Sequence, residues 1–165
     1  MRFNSYNKDD LTRFRILINS LLHEDTVIVC IGTNKYIADS LGPFVGSILK
    51  SRNCKYPIYG TINNPIHALN LEDTIYKIKK IHDDSLILAI DAAINTDKNK
   101  QGDIIFKCHS LKPGEGLKKE LPSIGDNSIL GIVGSKSDFE NNEIFLDTIL
   151  NIATFIADAI TPKQN

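Results

Sequence analysis

Residues Val27-Ile28-Val29-Cys30-Ile31 run directly into Gly32-Thr33 and then into Ala38-Asp39-Ser40-Leu41-Gly42-Pro43, and no other stretch constrains the fold as much. An unbroken apolar run of strand length, rich in β-branched residues and stopped by glycine, reads as a strand covered on both faces, the pattern of parallel sheets. Leu86-Ile87-Leu88-Ala89-Ile90 repeats it and ends in Asp91. In an open α/β sheet, ligands bind outside the carboxyl ends of the strands. Both runs therefore deliver a carboxyl group, Asp39 and Asp91, to the edge where chemistry is done.

At 165 residues the chain fits one domain, 1–165. A domain of that size buries about 70% of the surface its unfolded chain exposes, enough for a full core. Acidic and basic residues nearly cancel, 20 against 19, which leaves no electrostatic footprint for nucleic acid or an anionic membrane surface. Proteins, peptides or small molecules are the expected partners, and self-association into a homo-oligomer stays open. The run at residues 27–31 is far too short to span a membrane, and Met1-Arg2-Phe3-Asn4 is too polar for a signal-peptide core, so a cytoplasmic location is expected. Of the three cysteines, Cys30 and Cys108 fall in expected strands and Cys54 in a polar connection, with no C-x-x-C spacing. That supports neither a zinc site nor a disulfide framework, and no cofactor is expected. Gly32-Thr33-Asn34-Lys35 lacks the spacing of either nucleotide-binding glycine motif.

Along the chain, Asp9 or Asp10 is expected to cap a helix carrying Leu11, Phe14, Ile18, Leu21 and Leu22 at helical spacing. A strand at 27–31, a loop, and a helix over about 40–51 make the first β-loop-α unit. A short strand at 56–62 follows, then a helix opening at Asn64-Pro65 with Ile66, Leu69, Leu71, Ile75, Ile78 and Ile81. Strands are expected at 85–90, 103–108 and 128–133, with a long connection over 109–127 and an amphipathic helix over 142–160. The sum is an α/β fold: one three-layer α/β/α domain on a mostly parallel, twisted sheet of about five strands.

Taken together, Ile31-Gly32-Thr33, Asp39-Ser40-Leu41-Gly42-Pro43, Gly60-Thr61, Pro65-Ile66-His67-Ala68-Leu69-Asn70-Leu71, Ala89-Ile90-Asp91-Ala92, Lys112-Pro113-Gly114-Glu115-Gly116 and Leu130-Gly131-Ile132-Val133 resemble the YyaC family of sporulation proteases, which is similar to the germination protease of spore-forming bacteria. The resemblance implies a phosphorylase/hydrolase-like fold, shared with hydrogenase-maturation endopeptidases. It implies a forespore or spore-core location and a protein substrate of the small acid-soluble spore protein class. It also implies an aspartic pair, which falls on Asp39 and Asp91. The hydrogenase-maturation relatives add a histidine from the long loop to hold a metal. Here that loop offers only His109, at its start, so no metal site is expected.

Two carboxylates about 5 Å apart at an effective dielectric of about 20 repel by roughly 3 kcal/mol, about two pKa units on one of them. Such a pair shares a proton near neutral pH and offers one acid and one base to a trapped water, as amide hydrolysis requires. Other roles stay open: Asp39 also suits a helix cap, Asp91 a hydrogen-bond acceptor, and Lys35 could pair with Asp39 and leave no acid. Gly32, Thr33, His67 and Gly114 are the expected substrate-binding positions, with backbone amides near Gly32 or Gly114 available to an oxyanion. The alternative function is a non-catalytic spore protein that binds a peptide or protein in the same cleft; a third is metal-assisted processing, which needs one more ligand.

Overall fold

Alternation within the apolar runs decides the architecture. In the computed structural model, which describes residues 1–113 and 121–162, strand β2 (Val27–Cys30) turns Val27 and Val29 to one face and Ile28 and Cys30 to the other. Both faces are covered by apolar side chains, which is why the run has no polar interruption. One core holds Phe14 and Ile18 of α1 (Lys8–Leu21), Val45 and Leu49 of α2 (Leu41–Ser51) and Ile149, Ile152 and Ile156 of α5 (Leu146–Ile160). The other holds Leu71, Ile75 and Ile78 of α3 (Leu71–Ile81), with Ile66, Leu111 and Ile124. These are the three expected layers.

The sheet has six strands in the order β1 (Arg2–Asn4), β5 (Asp103–Lys107), β6 (Asn127–Ser135), β4 (Ile87–Asn95), β2 and β3 (Ile58–Tyr59). The last four run parallel, while β5 is antiparallel to both β6 and β1. The expectation of about five strands missed β1. Only Phe3 of its three residues is buried, too little alternation to signal a strand, and its pairing with Ile104 across about a hundred residues is tertiary.

Three expected boundaries are corrected. The cap of α1 is Asn7, whose side chain accepts from the amides of Asp9 and Asp10, so those aspartates fill the first turn instead. Helix α3 begins at Leu71, not at Asn64-Pro65, because Ile66 forms a parallel bridge with Ile31 and the Asn70 side chain ties Pro65 O to His67 N. The helix over 142–160 starts at Leu146. A short helix α4 (Lys136–Glu140) precedes it, and Asn142 at φ 56° reverses the chain between them. No helix among the described residues is long and apolar enough to cross a membrane.

Candidate active site

Asp39 reaches the sheet because the loop after β2 closes on itself. Thr33 N donates to Asp39 O at 2.9 Å, drawing residues 32–39 into a closed loop whose end is the 3-10 turn Ile37–Asp39. The closure demands glycine at both contacts. A Cβ on Gly32, at φ +141°, would stand 2.0 Å from Asp39 O, and one on Gly42 would stand 2.0 Å from Ile31 O. So the Asp39-to-Pro43 motif is a packing device first: Gly42 lets α2 start directly against the end of β2. The turn that carries Asp39 then packs beside β4.

Asp91 lies inside β4 rather than at its end, because the strand continues to Asn95. By alternation it shares a face with Ile87 and Ala89, at the carboxyl end of the core built on α3. The residue is half-buried, and its Oδ1 accepts from Ala92 N at 2.8 Å. Burial drives its pKa from the usual 3.8 up to about 7; the Ala92 N–H works against that rise, and the nearby Asp39 carboxylate adds to it. Burial also raises the pKa of Asp39. Asp39 as a whole residue is exposed, so Asp91 is the more strongly perturbed of the two.

The remaining expected positions divide. Gly32 N donates to Ile66 O at 2.7 Å and Thr33 N to Asp39 O, so both amides are spent on the loop and neither is free for an oxyanion. The Thr33 hydroxyl accepts from Lys35 N at 3.2 Å. His67 precedes α3 instead of lying in its first turn, and its Nδ1 accepts from Leu69 N at 3.3 Å. It lines a groove of about 500 Å³ along the β3 edge of the sheet, with Thr61, Asn63 and Asn70. Gly114 lies outside the described residues. Lys35 makes no ion pair with Asp39 among the described residues.

Sequence reasoning missed the anchor of the far ends of β4 and β6. Ser135, paired with Asn95, caps α4 in a reciprocal box with Asp138, and Lys98 reaches the same carboxylate at 2.9 Å. The Ser135 and Lys98 hydrogen bonds hold the Asp138 pKa down to about 2. The signal was present as Ser135-x-x-Asp138, an N-cap followed by an acid three residues on.

Among the described residues no group of three His, Cys, Asp or Glu side chains converges. His109 is exposed, with its Nδ1 2.8 Å from Ser110 O.

Comparison with known proteins agrees with the fold. The family model described as "Protein of unknown function (DUF1256)" matches residues 2–159. The "Uncharacterized protein YyaC" of Bacillus subtilis (strain 168) is 36% identical over 139 residues, 82% of this chain and 67% of that protein. Among solved structures, the [NiFe] hydrogenase maturation protease HycI from Thermococcus kodakarensis KOD1 superposes with a TM-score of 0.50 over 88% of this chain and 98% of that one, at 16% identity. That likeness is one of fold: a mostly parallel α/β sheet with helices on its faces.

Proposed function

The chain belongs to the DUF1256 family, and from that premise we propose that it is a peptide hydrolase of the germination-protease type, acting through Asp39 and Asp91. One observation carries the reading: two carboxyl groups with raised pKa values stand at the carboxyl edge of the sheet, one of them at about 7 and lifted in part by the other's charge. A perturbed acidic pair in such a place is how an acid and a base are made from identical side chains. The pair titrates as a unit, with one proton held mainly on Asp91 near neutral pH. Asp39, the more exposed, takes a proton from water as the water attacks the peptide carbonyl. Asp91 gives its proton to the carbonyl oxygen, which needs no amide from Gly32 or Thr33; as the resulting gem-diol collapses, Asp39 passes its proton to the leaving amine and Asp91 recovers one from the diol hydroxyl. The resemblance in the Asp39-to-Pro43 and Asp91 motifs supports small acid-soluble spore proteins as substrates and a role in sporulation or germination. His67 fits a peptide-positioning role in the groove along the β3 edge.

The test is incubation of the purified chain with spore proteins and with a peptide library, reading products by mass spectrometry, alongside Asp39→Asn and Asp91→Asn. Cleavage by the parent and loss in both variants is expected. Wild-type cleavage by either variant removes the pair. A folded parent that cleaves nothing in either mixture favours the alternative, a non-catalytic protein that binds a peptide or protein partner.

A further inference from the structure

Strand β4 outruns β2, and the difference leaves an open strand edge inside the candidate site. Val27 N donates to Leu86 O at 2.8 Å and Ile31 N to Ile90 O at 2.7 Å. Even-numbered residues along this strand therefore aim their peptide groups at β2 and odd-numbered ones at β6, as the bond from Asp126 N to Ile87 O also shows. Pairing with β2 stops at Cys30 opposite Ile90, and at Gly32 the chain turns away to Ile66. Pairing with β6 continues to Asn95 opposite Ser135. The register shift between Ala93 and Ile94 skips Val133 on β6, so the alternation of β4 itself is unbroken.

It follows that Ala92 and Ile94 turn their peptide groups toward the side that β2 has left. The Ala92 N–H is taken by Asp91 Oδ1. Ala92 C=O, Ile94 N–H and Ile94 C=O have no hydrogen-bond partner among the described residues. Strand edges of this kind accept an added strand, and here the edge is short-sided: Ala92 and Ala93 are half-buried and too small to cover it. Ile94, 44% exposed, and Ile37, 49% exposed in the turn that carries Asp39, add apolar surface at either side. Asp91 is the residue immediately before this edge.

We propose that the open edge at residues 92–94 is the substrate-binding strand: an extended segment of a protein substrate pairs with it through main-chain hydrogen bonds and is thereby laid across Asp91. This rests on the peptide-hydrolase reading and adds to it the conformation of the substrate, which must be unfolded or locally extended. Recognition is mainly through the peptide backbone, tolerant of side chains except for a preference for apolar residues beside Ile37 and Ile94.

The probe is a fluorescein-labelled pool of random peptides about ten residues long, enough to span the overhang at roughly 3.3 Å per residue. Binding is read by anisotropy on the Asp91→Asn protein, so that hydrolysis plays no part, and the site is located by hydrogen exchange. The pool should bind and slow exchange at Ile94. A pool N-methylated at every amide, so that neither edge of the extended peptide can donate, should bind about tenfold more weakly, the factor that two main-chain hydrogen bonds supply. Ile94→Pro removes the one donor on the open side and no bond to β6, and should weaken binding about threefold, one hydrogen bond's share of that loss; Ile94→Ala keeps the peptide group and should stay within about twofold. The N-methylated pool leaves the protein untouched and so decides the matter even if the proline variant misfolds. Equal binding of both pools, protection elsewhere than residues 91–95, or no binding overturns the proposal. Edge binding by a chain that cleaves nothing removes only the reaction, whereas cleavage undiminished by Ile94→Pro removes only the edge.

Discussion

Replacing Asp91 with asparagine should make the protein more stable in alkaline solution and leave it unchanged in acid. The carboxyl titrates near 7 in the folded chain against 3.8 in an unfolded one. Between those values the folded state holds a proton that the unfolded state has released, so stability falls as pH rises through the window of about 4 to 7 and the loss is complete just above it. A shift of about three units is worth roughly 4 kcal/mol at 1.36 kcal/mol per unit. Water reaching the half-buried group reduces this, so about 2 to 4 kcal/mol is the expected range. Asparagine has nearly the same volume, still accepts from Ala92 N and carries no charge to desolvate. Urea unfolding followed by circular dichroism at about pH 8 should therefore show a midpoint about 1 to 2 M higher than the parent, for an m value of about 2 kcal/mol/M, and coincident midpoints near pH 4. The difference between the two proteins isolates Asp91 from other titrating groups. Midpoint curves that stay parallel from pH 4 to 8 would refute a buried, proton-holding Asp91, and with it the acid of the mechanism.

Cleavage should follow a bell in pH, falling above about 7 as Asp91 loses its proton and falling in acid as Asp39 gains one; a rate still climbing at pH 9 contradicts the assignment. Asp39→Asn and Asp91→Asn should each lower kcat by about a hundredfold or more, and the double variant little further, since groups acting as a unit do not add; additive losses would show two independent roles. Chelation should leave cleavage intact, because no three metal-ligating side chains converge among the described residues; loss restored by one metal ion would reverse that reading. Gly42→Ala should cost about 2 to 4 kcal/mol by forcing α2 off the end of β2, where its Cβ would meet Ile31 O at 2.0 Å, and a thermal midpoint within a degree or two of the parent would show that the contact can relax.

The sequence by itself determined the layers. Continuous apolar runs at 27–31 and 86–90 required cover on both faces, and the helical spacing of Phe14 and Ile18, Ile75 and Ile78, and Ile149, Ile152 and Ile156 supplied it. It also singled out Asp91, since a carboxylate on a buried strand is costly without a use, and Asp39 by its place after the first apolar run. What depends on partners distant in the chain was not legible. β1 exists because Phe3 pairs with Ile104, and α3 starts late because Ile66 is held by Ile31. The amides of Gly32 and Thr33 are unavailable because Ile66 O and Asp39 O accept them. The open edge at Ala92 and Ile94 is of the same kind. Residues 86–95 look no different for having a neighbour on one side or two, and only the lengths to which β2 and β6 happen to run beside them decide which peptide groups are left to meet a substrate.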